Sequence, residues 1–202
     1  MTPLQAKPGT LADLEASYRQ AALADDLGFA ALWTRDVPLM IPQGSDHTAS
    51  ALDDPFLWLG GLAAVTRRVA LATGAIVLPL RHPLHVAKAA LTLNRISKGR
   101  LLLGLGSGDR PDEFARFGKD LESRDIAFRQ NWEILREALS PIGQRSAISL
   151  ANQNYPVLPP PAAQIPMLVV GSARQSLQWI AERADGWATY HREDLLLERD
   201  LP

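Results

Sequence analysis

Apolar positions along the 202-residue chain recur in two rhythms that take turns. Leu11, Leu14, Tyr18, Ala21 and Ala22 return at helical spacing between Thr10, read as an N-cap, and Gly28, read as the glycine that ends the helix. Residues 29–33 form an apolar run of strand length that stops at polar Thr34, Arg35 and Asp36. Asp53, Asp54 and Pro55 signal a second helix, a capping carboxylate followed by a proline whose missing N–H costs nothing there, running to about Arg67. Residues 69–80 are apolar except for Thr73 and Gly74, which predicts a strand covered on both faces. Pro83 opens a helix with Leu84, Ala87, Leu91 and Asn94 on one stripe and Gly99 past its end, and residues 100–104 read as the third strand. Pro111 begins a short helix, and Phe128, Trp132, Leu135 and Leu139 mark a longer one. Residues 140–166 hold six prolines and no period, so they read as a long loop. Residues 167–170 are a fourth strand, Ser172 reads as the cap of a helix carrying Leu177, Ile180 and Ala181, and residues 186–190 are a fifth strand.

Helix and strand in alternation predict an α/β fold with a parallel sheet, closed either as an open doubly wound sheet or as a (β/α) barrel. In both, ligands sit at the carboxyl ends of the strands. That edge collects Asp36, Gly74, Ala75, residues 104–110, Gly171 and Ser172. The run Gly104-Leu105-Gly106-Ser107-Gly108 invites a nucleotide-phosphate reading. A dinucleotide fingerprint, however, needs a third glycine where Asp109 stands, and the helix waits until Pro111. On spacing alone a tight turn after a strand is the plainer explanation. Ser172 and Ser176 at a helix start suit an anion, and a simple cap explains Ser172 equally well.

Charge and composition narrow the function. A net charge of −1 offers no basic surface for nucleic acid or anionic membrane. There is no cysteine, hence no disulfide or thiolate metal site, and no apolar run approaches a membrane span. The first residues lack an apolar signal core, so the expectation is a single soluble, cytoplasmic domain over residues 1–202. His82 and His85 flank a helix start without a third ligand, so no metal is expected. Asp36 and Asp109 with Arg35, Arg81 and Arg110 suit ion pairs at the mouth of the sheet, and Trp33, Trp132 and Trp187 suit the core.

The stretch ALATGAIVLPLRHPLHVAKAALTLNRISKGRLLLGLGSGDRPDEFARFG, with DLGFAALWTRDVP before it and IPMLVVGSARQSLQWIAERADGWAT after it, resembles the luciferase-like flavin-dependent oxidoreductases. The similarity runs in order from about Thr10 to about Tyr190. It implies a (β/α)8 barrel of which strands 2–6 are represented here, so that the chain reads as an incomplete barrel. It implies FMN, or coenzyme F420 as the alternative, acting on an unknown small organic substrate, with reduced flavin supplied by a flavin reductase or a nicotinamide, and a homo-oligomeric state. Hydride transfer or oxygen activation is then the cofactor's chemistry, and the protein supplies orientation and electrostatics.

By the same resemblance, Gly74 and Ala75 are where the family often has a non-prolyl cis peptide beside the flavin ring. Gly106, Ser107 and Gly108 match the segment that passes the flavin and its phosphate, and Ser172, Ala173 and Ser176 match the phosphate-binding helix start. Asp36, His82 and Arg110 are the candidate catalytic groups near the ring. Two positions depart from the family pattern. Val37 stands where luciferases have a catalytic histidine, and Ser107 stands where a basic residue holds the phosphate, which leaves Arg110 as its replacement. The alternative reading is a degenerate, non-catalytic flavin-binding or structural fragment of such a barrel. A doubly wound nucleotide-binding domain fails at Asp109.

Overall fold

The computed structural model describes residues 13–39, 52–141, 157–159 and 163–189. Helix α1 (Leu14–Asp26) begins at Asp13, whose carboxylate accepts from the Ala16 amide at 3.1 Å. The cap is therefore Asp13 rather than Thr10, which lies with Leu11 outside the described residues. Gly28, at φ +79°, follows the helix end as its sequence position implies. Asp54 caps α2 (Pro55–Val65), accepting from the amides of Phe56 and Leu57. That helix stops at Val65, short of Arg67, because Thr66 turns extended and returns its hydroxyl to the Leu62 carbonyl at 2.8 Å.

Strand β1 (Ala31–Thr34) pairs in parallel with β2 (Ala70–Thr73), and β2 pairs with β4 (Leu101–Gly106). Strand β5 (Met167–Val170) follows on the far side of β4, and β6 (Gly186–Ala188) lies beyond it, both parallel. The two-residue β3 (Ile76–Val77) also pairs with β4, and a 3-10 turn at Leu78–Leu80 follows it. Helix α3 (Pro83–Ile96) leads into β4, α4 (Pro111–Arg116) and α5 (Arg124–Leu139) lie between β4 and β5, and α6 (Leu177–Arg183) leads into β6. The strand order β1-β2-β4-β5-β6 follows the sequence without reversal. A doubly wound sheet needs a switch point where the order reverses, whereas a barrel wall runs on in one direction. The sequential order therefore places this α/β fold with the barrels.

The span from 69 to 80 is not one strand. Register runs Leu71↔Leu101 and Ala72↔Leu102 below, then Ile76↔Leu105 and Val77↔Gly106 above. One extra residue has entered between β2 and β3, which is a bulge. Thr73 bridges it: its hydroxyl donates to the Gly104 carbonyl at 2.8 Å and accepts from the Gly104 amide at 2.9 Å. No other residue fits at 104, since a Cβ there would stand 2.0 Å from the Thr73 carbonyl oxygen. The third strand runs on to Gly106, two residues beyond 104, because β3 gives its end a partner.

The core lies between sheet and helices. Leu71, Leu101, Leu103, Leu105, Met167 and Val169 are buried on the strands, against Val86, Ala87, Ala90 and Leu91 of α3 and Phe128, Trp132 and Leu135 of α5. On the amino edge, Arg100 bonds the carbonyls of Ala63, Thr66, Val69 and Ser97 and so collects the ends of α2 and α3. Asp25 accepts from the amides of Arg67, Arg68 and Val69 and ties α1 to the entry of β2. The Pro-rich loop expected at 140–166 lies mostly outside the described residues, and Tyr190, at the end of the fifth predicted strand, lies outside them.

Candidate functional site

The loops leaving the carboxyl edge of β1, β2, β4 and β5 surround a cavity of about 400 Å³. Of the residues singled out from the sequence, Asp36, Gly74, Ala75, Gly106, Ser107, Gly108, Arg110, Ser172 and Ala173 line it together. His82 and Ser176 do not. His82 caps α3 through Nδ1, which accepts from the Leu84 amide at 3.2 Å, and faces a separate hollow beside Phe56 and His85. Its place at a helix start, rather than at a strand end, takes it out of the cavity. Ser176 caps α6 by accepting from the Trp179 amide at 3.2 Å, so its hydroxyl is already engaged. Among the described residues no group of three or more histidine, aspartate or glutamate side chains is arranged to hold a metal.

The floor of the cavity is the bulge. The Gly74–Ala75 peptide is cis, as the resemblance implied. Trp33 packs beneath it, so that a Cβ on Gly74 would stand 3.1 Å from Trp33 Cε3. Gly106 carries no side chain where a Cβ would meet Ala75 Cβ at 3.2 Å. Gly108, at φ +79°, turns the chain toward Pro111, and a Cβ there would overlap Val77 Cγ1 at 2.6 Å. The glycines of this segment thus serve close backbone approach around one hollow.

After β5 the chain makes a turn and not a helix. Gly171, Ala173 and Arg174 all have positive φ, and the Ser172 hydroxyl accepts from the Arg174 amide at 3.2 Å. The helix therefore starts at Leu177 with Ser176 as its cap, later than a Ser172 cap requires. Two latches hold the turn. Trp187 Nε1 donates to the Gly171 carbonyl at 2.7 Å, and Gln175 Nε2 donates to the carbonyls of Ala173 and Asp125. Arg129 in turn donates to Gln175 Oε1. Non-glycine residues in the left-handed region persist where their surroundings fix them, and such residues gather at ligand sites.

The charges divide into used and available. Asp36 is buried and binds Arg81 through two bonds, Nε to Oδ2 at 2.8 Å and Nη2 to Oδ1 at 2.7 Å, while also accepting from the Val77 amide at 3.1 Å. Arg81 Nη2 reaches on to Asp54 at 3.1 Å. Burial works against the Arg81 charge, but the bonds and charges of the two aspartates outweigh it and raise its pKa further. Asp36 is thus an anchor joining β1, β3 and the start of α2. Arg110 and Glu113 form a second buried pair, Nη1 to Oε1 at 3.5 Å. Arg124 lines the cavity as well, although no sequence motif had marked it. It is 8% exposed, its Nη1 donates to the Leu121 carbonyl, and its Nε has no hydrogen-bond partner among the described residues. A signal for it did exist: Arg124 sits on the same helical stripe as Phe128 and Trp132, where a cation has no packing role.

A sequential parallel sheet with a cavity at its carboxyl edge, lined by glycines and arginines, is the layout of the barrel folds. The chain belongs to the luciferase-like monooxygenase family, whose family model matches residues 1–200. It is 33% identical over 181 residues to a putative coenzyme F420-dependent oxidoreductase of Mycobacterium tuberculosis, covering 82% of this chain and 48% of that protein. Monooxygenase RslO1 of Streptomyces bottropensis superposes with a TM-score of 0.64 at 30% identity, covering 77% of this chain and 46% of that one. The oxygenating constituent of 3,6-diketocamphane monooxygenase of Pseudomonas putida, solved with FMN, shares the fold at a TM-score of 0.63 and 21% identity, covering 84% of this chain and 49% of that one. Members of the family use FMN or coenzyme F420. The chain spans about half the length of these relatives.

Proposed function

We propose that this chain supplies the flavin-binding wall of a luciferase-like oxidoreductase, taking FMN in preference to coenzyme F420, with a small organic substrate. The observation that carries this reading is Arg124, a buried guanidinium on the cavity wall with an unsatisfied Nε. An orphaned buried donor costs free energy unless a ligand completes it, and a phosphate oxygen is the acceptor such a group suits best. The rest of the cavity fits the same ligand. Ser107, Ser172 and Arg110 line it with Arg124, together with Gly74, Ala75, Gly106 and Gly108.

When bound, the flavin would supply hydride transfer or oxygen activation. This chain's residues hold and orient it: Arg124 and Ser172 toward the phosphate, the Gly74–Ala75 floor toward the ring, and Asp36 by fixing that floor through Arg81 and the Val77 amide. A second reading, binding without turnover, draws on Val37. This buried valine lines the cavity where the resemblance places a catalytic histidine. One experiment separates the readings. FMN is titrated into the purified chain while its absorbance band is followed, and oxygen consumption with reduced FMN is then recorded. A shifted band that is lost in Ser172→Asp, through like-charge repulsion, and weakened at least about tenfold in Arg124→Gln supports the site. Unchanged affinity in both variants refutes it. A shifted band without oxygen consumption selects the second reading.

A further inference from the structure

Gln175 joins two walls of the cavity without lining it. The side chain is buried, 7% exposed, and the cavity is lined instead by its neighbours Ser172, Ala173 and Arg174 on one side and Arg124 on another. Gln175 Nε2 donates to the Ala173 carbonyl at 3.0 Å and to the Asp125 carbonyl at 3.2 Å. Ala173 belongs to the turn after β5, and Asp125 follows Arg124 at the start of α5. One side-chain amide thus ties together two segments 50 residues apart. Arg129 decides which way that amide faces. An arginine can only donate, so its bond to Oε1 leaves Nε2 for the two carbonyls. Arg129 is itself fixed on α5, with its guanidinium 5.9 Å from the centre of the Trp179 ring on α6.

The turn needs such holding. Gly171, Ala173 and Arg174 are all left-handed, and for alanine and arginine that conformation costs free energy that the surroundings must offset. The carbonyls of Gly171, Ser172 and Ala173 are taken in order by Trp187 Nε1, the Gln175 backbone N–H and the Gln175 side chain. Two of these three bonds come from Gln175, and its side chain carries the hold across to α5. We propose that Gln175 is a positioning residue: it fixes the separation between the 172–174 turn and Arg124, so that both meet the same anionic group, and thereby sets how strongly the cavity favours a phosphorylated flavin over an unphosphorylated one. Walls held in this way take the anion without the ordering cost that a loose pair incurs on binding. The inference rests on the reading of the cavity as the seat of a phosphate-bearing flavin.

The test is titration of FMN, and separately of riboflavin, which lacks the phosphate, into the wild-type chain and into Gln175→Met, followed by flavin absorbance. Methionine keeps the length of the side chain and none of its hydrogen bonds. The expected result is a loss of about tenfold in FMN affinity, with riboflavin affinity unchanged within about twofold. Made on top of Arg124→Gln, the same substitution should change FMN affinity by less than about twofold, because the group it positions is gone. A residue that only stabilised the fold would weaken both flavins alike and act regardless of residue 124. Either of those patterns, or unaltered FMN affinity in Gln175→Met, overturns the proposal and leaves the flavin reading standing. Should Gln175→Met fail to fold, Gln175→Asn keeps the amide on a stem one carbon shorter, which cannot span both carbonyls and Arg129, and the same FMN-to-riboflavin ratio decides. A wild-type chain that binds no FMN overturns both.

Discussion

At the scale of single residues, the fold depends on a few polar groups in places where water cannot replace their partners. Asp25 is 5% exposed and accepts three consecutive amides. Burial works to raise its pKa, but the amides of Val69, Arg67 and Arg68 with the Arg68 charge outweigh it and hold the carboxyl below its ordinary value. A lowered carboxylate stabilises the fold above its unfolded pKa of about 3.9, and that contribution disappears as the pH falls through the lower folded value. Asp25→Ala is expected to cost about 1–3 kcal/mol in urea denaturation at neutral pH, since the amides lose their acceptor. The same variant should lose less stability than the wild type on acidification below about pH 4. Gly108→Ala is expected to cost about 1–3 kcal/mol from its positive φ alone. It should also weaken FMN, because the new Cβ must displace Val77 from the cavity wall. Normal flavin affinity in a folded Gly108→Ala variant would show that this turn lies away from the ligand.

At the scale of elements, what could be read from the sequence is what is decided locally. The start of α2 was legible because Asp54 and Pro55 act on their own next turn. So was the end of α1, because Gly28 alone supplies its left-handed residue. The bulge was not, since residues 69–80 are apolar throughout and the extra residue shows only in the register against β4. The turn after β5 was misread as a helix start because its latches come from far along the chain, Trp187 on β6 and, by way of Gln175, Arg129 on α5. An ion pair for Asp36 was legible from its place at a strand end, but which arginine takes it was not, Arg81 lying 45 residues away. Thr73→Val tests the bulge directly. It preserves shape and removes the hydroxyl that both donates to and accepts from Gly104. A loss of about 1–3 kcal/mol is expected, read by thermal or urea unfolding. A near-neutral result would mean that the backbone alone holds the two halves of the strand in register.

At the scale of the whole molecule, the sequential order of parallel strands puts β4 at the centre, with β2 and β3 on one side and β5 on the other. Each outer strand, β1 and β6, has a single neighbour among the described residues. Hydrogen exchange should therefore protect β4 most and release β1 and β6 first, which amide mapping by mass spectrometry would show. Uniform protection across the sheet would require partners on both outer strands. Among the described residues no helix is long and apolar enough to cross a membrane.

The two tryptophans beside the cavity give the molecule an optical property. Trp33 packs under the Gly74–Ala75 floor from β1, and Trp187 is bonded to the Gly171 turn from β6, so an indole stands at each flank of the hollow. Indole emission overlaps flavin absorption, and energy passes efficiently over such short separations. With FMN seated there as proposed, these indoles would report its arrival with no label and no turnover required. The chain has five tryptophans, so the share of FMN-induced quenching that Trp33→Phe or Trp187→Phe removes would measure what each of these two indoles contributes.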